Sequence, residues 1–199
     1  MKIHIISDTH FNHKNIKEYC NRPDDWEDKI FKGLQESANA EPDILIHLGD
    51  VSLGFDALRH EFITTIFKRS WLILGNHDGK SMNWYMNHGW DFVGRSVMIY
   101  LYGIRILFSH RPYPFPPMKT VTSELRRQVA FSEEMIDKPR SNFDINVHGH
   151  CHNRPNLELE TWQKPFILEN QDYKPVDLKE FLSEEIRNKQ QSRSLQKNI

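Results

Sequence analysis

The chain has 199 residues, 38% of them hydrophobic and 12% aromatic, which suffices for one packed domain and excludes wholesale disorder. A formal net charge of −1 gives no overall field toward nucleic acid or an anionic membrane. No run approaches the roughly 20 apolar residues of a spanning helix, no secretory-type leader precedes Asp8, and two cysteines, Cys20 and Cys151, make no disulfide framework, so a cytoplasmic protein without membrane association is expected.

Residues 2–6 read as a strand, followed by the polar loop Asp8-Thr9-His10-Phe11-Asn12-His13 and a short helix over about 14–20 that Asn21-Arg22-Pro23 breaks. Asp24 with Glu27 resembles a capping box, and Trp26, Ile30, Phe31, Leu34 and Ala38 follow at helical spacing, predicting a helix over 26–38. A short apolar strand over 44–48 ends at Gly49-Asp50. Phe55, Leu58, Phe62, Ile66 and Phe67 predict a helix over 56–68. A strand over 71–74 ends at Gly75-Asn76-His77-Asp78, and a helix is expected near 81–88. Residues 97–108 read as a hairpin turning at Tyr102-Gly103 and ending at Ser109-His110. The stretch 111–117 carries four prolines and reads as a loop, with a helix over 122–137 after it. A strand over 143–147 ends at His148-Gly149-His150-Cys151-His152, and two more strands are expected near 156–160 and 164–168. Asp177 with Glu180 caps a last amphipathic helix, so a single domain spans 1–186 and a polar basic tail, 187–199, is expected to fray. Strands and helices alternate early and strands dominate later, which indicates an α/β layered fold.

One regularity organises the chemistry. Five times a strand ends and metal-ligand residue types follow within about two residues: Asp8 and His10, Asp50, Asn76 and His77, His110, and His150 and His152. In layered α/β folds ligands gather beyond the carboxyl ends of strands, which would pool these side chains. Imidazoles, carboxylates and an amide oxygen together suit first-row divalent metals such as Mn²⁺, Fe²⁺, Ni²⁺ or Zn²⁺. Eight candidates, seven with His77 set aside, exceed the four ligands of one tetrahedral zinc and fit two ions with open positions.

Asp8-x-His10, Gly49-Asp50, Gly75-Asn76-His77-Asp78, His110 and Gly149-His150-x-His152 resemble, in order and spacing, the five blocks of calcineurin-like metallophosphoesterases. The segment from Asn170 to Leu178 is similar to the C-terminal part of small bacterial and phage members. The resemblance implies a four-layer αββα sandwich, two facing mixed β-sheets flanked by helices. It implies that Asp8, His10, Asp50 and His152 hold one divalent ion and Asp50, Asn76, His110 and His150 a second, with Asp50 bridging and Mn²⁺ favoured. It further implies that a hydroxide shared by the two ions attacks phosphorus in line while His77, not a ligand, acts as the general acid.

Asp50 is followed here by Val51-Ser52-Leu53-Gly54, where better-known phosphatases of that family carry an Asp and an Arg. The orientation of His77 then falls to Asp78 or a backbone carbonyl, and Arg111 is the nearest substitute for the phosphate-binding arginine. His13 either lines the site or caps the following helix, so His13, Asn76 and Arg111 are the candidate substrate contacts. His4, His47, His148 and Cys151 read as packed residues, His60 and His88 as surface residues. The leading expectation is a metal-dependent phosphoesterase acting on a small phosphorylated substrate, with phosphodiesters such as nucleotides or cyclic nucleotides favoured. The basic residues Arg187, Lys189, Arg193 and Lys197 motivate the alternative of a nuclease on DNA or RNA. A non-catalytic, metal-stabilised scaffold that binds a protein partner is the third reading.

Overall fold

A computed structural model describes residues 1–54, 56–113, 142–154 and 158–197. Short, fully buried apolar runs become the parallel strands. β1 (Ile3–Ile6), β2 (Ile44–His47) and β3 (Ser70–Ile73) have almost no exposed residue, as expected for strands covered on both faces. Between them run α1 (Ile16–Tyr19), α2 (Trp26–Asn39) and α3 (Ala57–Ile66), and α4 (Met82–Asn87) leads to β4 (Phe92–Gly94). The hairpin β5 (Ser96–Leu101) and β6 (Ile104–Ser109) turns at Tyr102-Gly103, both with positive φ. β7 (Ile145–His148), β8 (Gln163–Pro165), a 3₁₀ turn (Leu168–Gln171), β9 (Val176–Asp177), α5 (Leu178–Phe181) and α6 (Ser183–Lys197) complete the described elements.

The strands form two mixed sheets, ordered β4-β3-β2-β1-β9 and β5-β6-β7-β8. In the first, β1 to β4 are parallel and β9 runs antiparallel on β1. In the second, β6, β7 and β8 are parallel and β5 is antiparallel. Ile5 and Ile46 of one sheet, Ile106 and Val147 of the other, and Phe166 just after β8 belong to one buried apolar cluster, which α2 enters through Trp26, Ile30 and Leu34. The result is the layered αββα architecture. Parallel order is what matters for the site. The carboxyl ends of β1 and β2 lie side by side, Ile6 opposite His47, and so do those of β6 and β7, Ser109 opposite His148. Among the described residues no helix is long and apolar enough to cross a membrane.

Several local expectations give way to tertiary partners. The Asp24–Glu27 capping box does not form: α2 starts from Asp25 without a side-chain cap. Asp24 instead pairs with Lys17, while Glu27 accepts the Asn12 N–H at 2.9 Å and faces Arg59 at 3.4 Å. His60 is buried, not a surface residue, because α3 turns it against Trp84, Tyr85 and Trp90. His88 is half-buried and stacked on Trp84. Residues 158–160 form no strand, and the strand expected over 164–168 is shorter, its end replaced by the 3₁₀ turn. The strand expected from 143 begins at Ile145, since Phe143 packs with Tyr113 and Trp162 and the Asp144 carboxylate holds Arg105. The polar segment after Ile186 continues as α6 to Lys197; it is rich in Arg, Lys and Gln and free of Gly and Pro, which favours helix. Contacts of α6 from Glu185 to Lys164 and from Lys189 to Asp144 dock it on the second sheet. The helix expected over 122–137 and the proline-rich loop beyond Tyr113 lie outside the described residues.

Candidate metal centre

The loops that follow β1, β2, β3, β6 and β7 converge. Their backbone is over-determined: Asp8 N–H donates to the Gly49 carbonyl at 3.0 Å, His10 N–H to Asp50 at 2.9 Å, and Gly149 N–H to His110 at 3.0 Å. These bonds hold a conformation that isolated residues avoid. Asp8, His10, Asp50, His150 and His152 all have φ between 48° and 66°, the left-handed region, at a cost on the order of 1–3 kcal/mol each. Two glycines permit the close approach of loops. A Cβ at Gly75 would overlap the Asp50 carboxylate, and one at Gly149 would overlap Ser7 Oγ and Asp8 Oδ2.

The two central carboxylates are used alike. Asp8 Oδ2 accepts from Ser7 Oγ at 2.6 Å and from His150 N–H at 2.9 Å, while its Oδ1 lies 3.6 Å from both His10 Nε2 and His152 Nε2. Asp50 Oδ1 accepts the His77 N–H at 2.8 Å. Its Oδ2 faces His110 Nε2 at 3.3 Å, His10 Nε2 at 3.6 Å and His77 Nε2 at 4.0 Å. In each case the backbone fixes one oxygen and the other is turned toward imidazoles.

Two donor groups result, Asp8 with His10 and His152, and Asp50 with His110 and His150, the ligand atoms of each within 4.8 Å of one another. Asn76 Oδ1 lies 3.2 Å from His110 Nε2, at the second group. The chemistry of these donors fits a cation. His10 Nε2 meets His152 Nε2 at 3.2 Å, and His110 Nε2 meets His150 Nδ1 at 3.2 Å. Each is a nitrogen–nitrogen contact that needs a proton or a metal cation between the two rings. Asp8 Oδ1 and His10 Nδ1 are buried with no hydrogen-bond partner, a costly arrangement unless a charge is supplied. His110 is oriented by its Nδ1–H on the Leu48 carbonyl at 2.8 Å, which directs Nε2 into the cluster.

Without a cation the protons distribute unevenly. Burial, reinforced by the charges of His110 and Arg111, pulls His150 down to about 3. Burial also disfavours charge on His110 and His152, yet their partners prevail. Asp50 and Asp8 push His110 up to about 9, and Cys20, Glu169 and Asp8 push His152 up to about 10. Asp50 is held down at about 2, its burial outweighed by His110 and His10.

The remaining expected residues fall around this core. His77 lies beside His10, with ring centroids 5.1 Å apart, and its side chain is one-third exposed. His13 also lines the site, 5.4 Å from the His10 ring and 5.5 Å from the His77 ring, and does not cap α1. Arg111 reaches Asn76 Oδ1 at 3.5 Å from the outer edge. Asp78 does not orient the His77 ring. Its carboxylate accepts the N–H groups of Asp50, Gly75 and Val51 at 2.7, 2.8 and 3.2 Å and so braces two of the loops. Burial and then the charge of Asp50 raise Asp78 to about 6.

Sequence reasoning overlooked Arg22 and Glu169, which stand behind His152. Arg22 read as part of a helix-breaking triplet. Glu169 immediately precedes the Asn170 segment, and that adjacency was its one available signal.

Residues 1–165 match the sequence pattern of the calcineurin-like phosphoesterase superfamily domain. Over 82 residues the chain is 39% identical to an uncharacterized protein of Methanocaldococcus jannaschii, covering 39% of this chain and 47% of that protein, so the match spans about half the length of its curated relative. In structure it is similar to a protein of unknown function from Aquifex aeolicus, with a TM-score of 0.66 and 27% identity over 90% of this chain and 96% of that one. A phosphoesterase from E. coli is more distant, with a TM-score of 0.47 and 17% identity over 84% of this chain and 78% of that one.

Proposed function

Because the chain belongs to the calcineurin-like phosphoesterase superfamily, we propose that it is a dinuclear phosphodiesterase acting on nucleotides or cyclic nucleotides. The observation that carries this reading is Asp50, whose Oδ2 faces His10 of one donor group and His110 of the other. Asp8, His10, Asp50 and His152 would hold one ion and Asp50, Asn76, His110 and His150 the other, with Mn²⁺ preferred. Such ions, when bound, supply Lewis acidity that activates water and offsets phosphate charge.

The chain's own residues do the rest. Buried loops with braced backbones keep the donors fixed, so little reorganisation is needed as charge develops. His77 has its main chain anchored on Asp50 and its ring at the lip of the site. It donates a hydrogen bond or proton to the leaving oxygen. Burial, together with the charges of His10 and His110, keeps its ring below the usual imidazole range. His13 and Arg111 flank the substrate. Arg22 is committed to Glu169, and Arg111 sits at the outer edge on Asn76. A diester carries less charge than a monoester dianion and asks for less cationic grip, which favours diesters.

The test is hydrolysis of bis-p-nitrophenyl phosphate and of p-nitrophenyl phosphate by purified protein loaded with Mn²⁺. Faster turnover of the diester is expected. Inertness toward both with Mn²⁺, Ni²⁺ and Fe²⁺ in turn would end the enzyme reading.

A further inference from the structure

Behind His152 lies a buried polar cluster that the proposed chemistry leaves unused. Glu169, on the 3₁₀ turn, receives three donors on a single oxygen. Arg22 Nε reaches Oε1 at 2.9 Å, Arg22 Nη2 at 2.7 Å, and His152 Nδ1 lies 3.3 Å away. The guanidinium also donates to the main-chain carbonyls of Asp8 at 2.8 Å and Thr9 at 3.2 Å. The Arg22 side chain has no exposed surface and that of Glu169 only 6%. Trp26 and Tyr173 cover the guanidinium, whose carbon is 5.0 and 6.0 Å from their ring centroids.

Cys20, His152 and Glu169 also bring donor atoms within 4.8 Å of one another, which raises the question of a further cation there. Arg22 answers it. A guanidinium already on Oε1 would repel a second positive charge, so this cluster is a hydrogen-bonded shell. A buried ion pair is weak evidence for stability, because desolvation offsets its attraction, and its best-attested use is to fix geometry.

We infer that Arg22 and Glu169 are positioning residues for the ion held by Asp8, His10 and His152: Glu169 fixes the His152 ring through Nδ1, and Arg22 locks Glu169 to the backbone that carries Asp8. This rests on the proposed reading of His152 as a ligand. One guanidinium thereby ties the loop after β1, the loop after β7 and the C-terminal segment into a single unit. Nε2 of His152 is left facing Asp8 Oδ1. Carboxylate partners behind ligating histidines are worth about 10–100-fold in metal affinity.

The experiment is calorimetric titration of the metal-free full chain with Mn²⁺, comparing wild type with Glu169→Gln, Glu169→Ala and Arg22→Lys, alongside the melting temperature of each metal-free protein. Wild type should take up two ions. Glu169→Ala should weaken one of them about 10–100-fold and leave the other unchanged, with Glu169→Gln intermediate because its amide oxygen still accepts from Nδ1–H. Adding Arg22→Lys to Glu169→Gln should cost no more than the larger single effect, since the two residues act in series. In the Zn²⁺-loaded protein the His152 Nδ1–H proton should be protected from exchange and lose that protection in Glu169→Ala. Should Glu169→Ala fail to fold, the near-isosteric Gln variant carries the comparison. Two ions bound with wild-type affinity in the Glu169 variants would overturn the inference. So would equal weakening of both ions with a matching fall in metal-free melting temperature. Wild-type protein that binds neither Mn²⁺ nor Zn²⁺ would instead remove the premise, and the inference with it.

Discussion

The main-chain N–H of His150 donates to Asp8 Oδ2 at 2.9 Å, across 142 positions of sequence. The other oxygen of that carboxylate faces His10 and His152. One side chain therefore does two jobs: it holds the loop after β7 against the loop after β1 and offers its free oxygen to the donor cluster. The site's geometry is set by backbone contacts between loops, so small backbone displacements should be felt as lost metal binding.

Gly149→Ala tests that coupling directly. The new methyl group would overlap Ser7 Oγ and Asp8 Oδ2 and lie within 2.9 Å of Ser7 Cβ. The expected cost is about 1–3 kcal/mol of stability, as for other overpacked sites, with a large loss of bound metal. Elemental analysis and thermal denaturation would check it; a variant with wild-type metal content would contradict the proposed packing.

His77→Ala separates binding from turnover. The His77 ring is one-third exposed and belongs to neither carboxylate-containing donor group, although its ring nitrogen clusters with those of His10 and His13. Diester turnover should fall by about 10²–10⁴-fold, the usual contribution of a general acid. Metal content should persist. A variant that turns over at the wild-type rate would remove His77 from the role of general acid.

Asp78→Asn probes the brace between the loops after β2 and β3. The carboxylate accepts three main-chain N–H groups. An amide would present an NH₂ group to at least one of them, leaving a buried donor unpaired at a cost of about 1–3 kcal/mol. Chemical denaturation should register that loss, and Asp50, whose N–H is one of the three, should bind metal less tightly. Unchanged stability would show that the brace is dispensable.

His60 gives the fold an acid sensitivity distinct from the candidate metal centre. Burial, then the charge of His88, pulls its ring down to about 4, while its Nδ1 accepts the Trp90 indole N–H at 3.1 Å. Because the folded value lies below the ordinary 6.5, the neutral ring's contribution is fully present above that pH. It is lost progressively as pH falls toward 4. At about 1.4 kcal/mol per pH unit the loss is capped at roughly 3 kcal/mol. His60→Gln, which keeps an acceptor without a titrating ring, should be less stable than wild type at pH 8, and the gap should narrow or reverse by pH 4. Urea denaturation across that range decides it; a constant gap would be the contrary result.

The chemistry-bearing loops were legible in the chain because each is a local pattern. An apolar run of about four residues reads as a buried strand, and Gly, Asp, Asn or His directly after it marks the turn. Parallel order then brings such ends together, which is why Asp8, Asp50, Asn76, His110, His150 and His152 could be nominated from spacing alone. The hairpin turn at Tyr102-Gly103 and the Asp177 cap, which accepts from Lys179 N–H and Glu180 N–H, were local in the same sense.

What only the tertiary structure decided are the choices between a near partner and a distant one. Asp24 and Glu27 formed no capping box because Lys17, Asn12 and Arg59 were better placed. His60 went inward because α3 presents that face to Trp90. Arg22 and Glu169 meet across 147 positions, and nothing in either one's sequence neighbourhood announces the other. Strand period and turn chemistry are properties of consecutive residues, so a single chain displays them. The burial of a polar side chain depends on which surfaces the folded layers bring against it, and that is known only when the layers are packed.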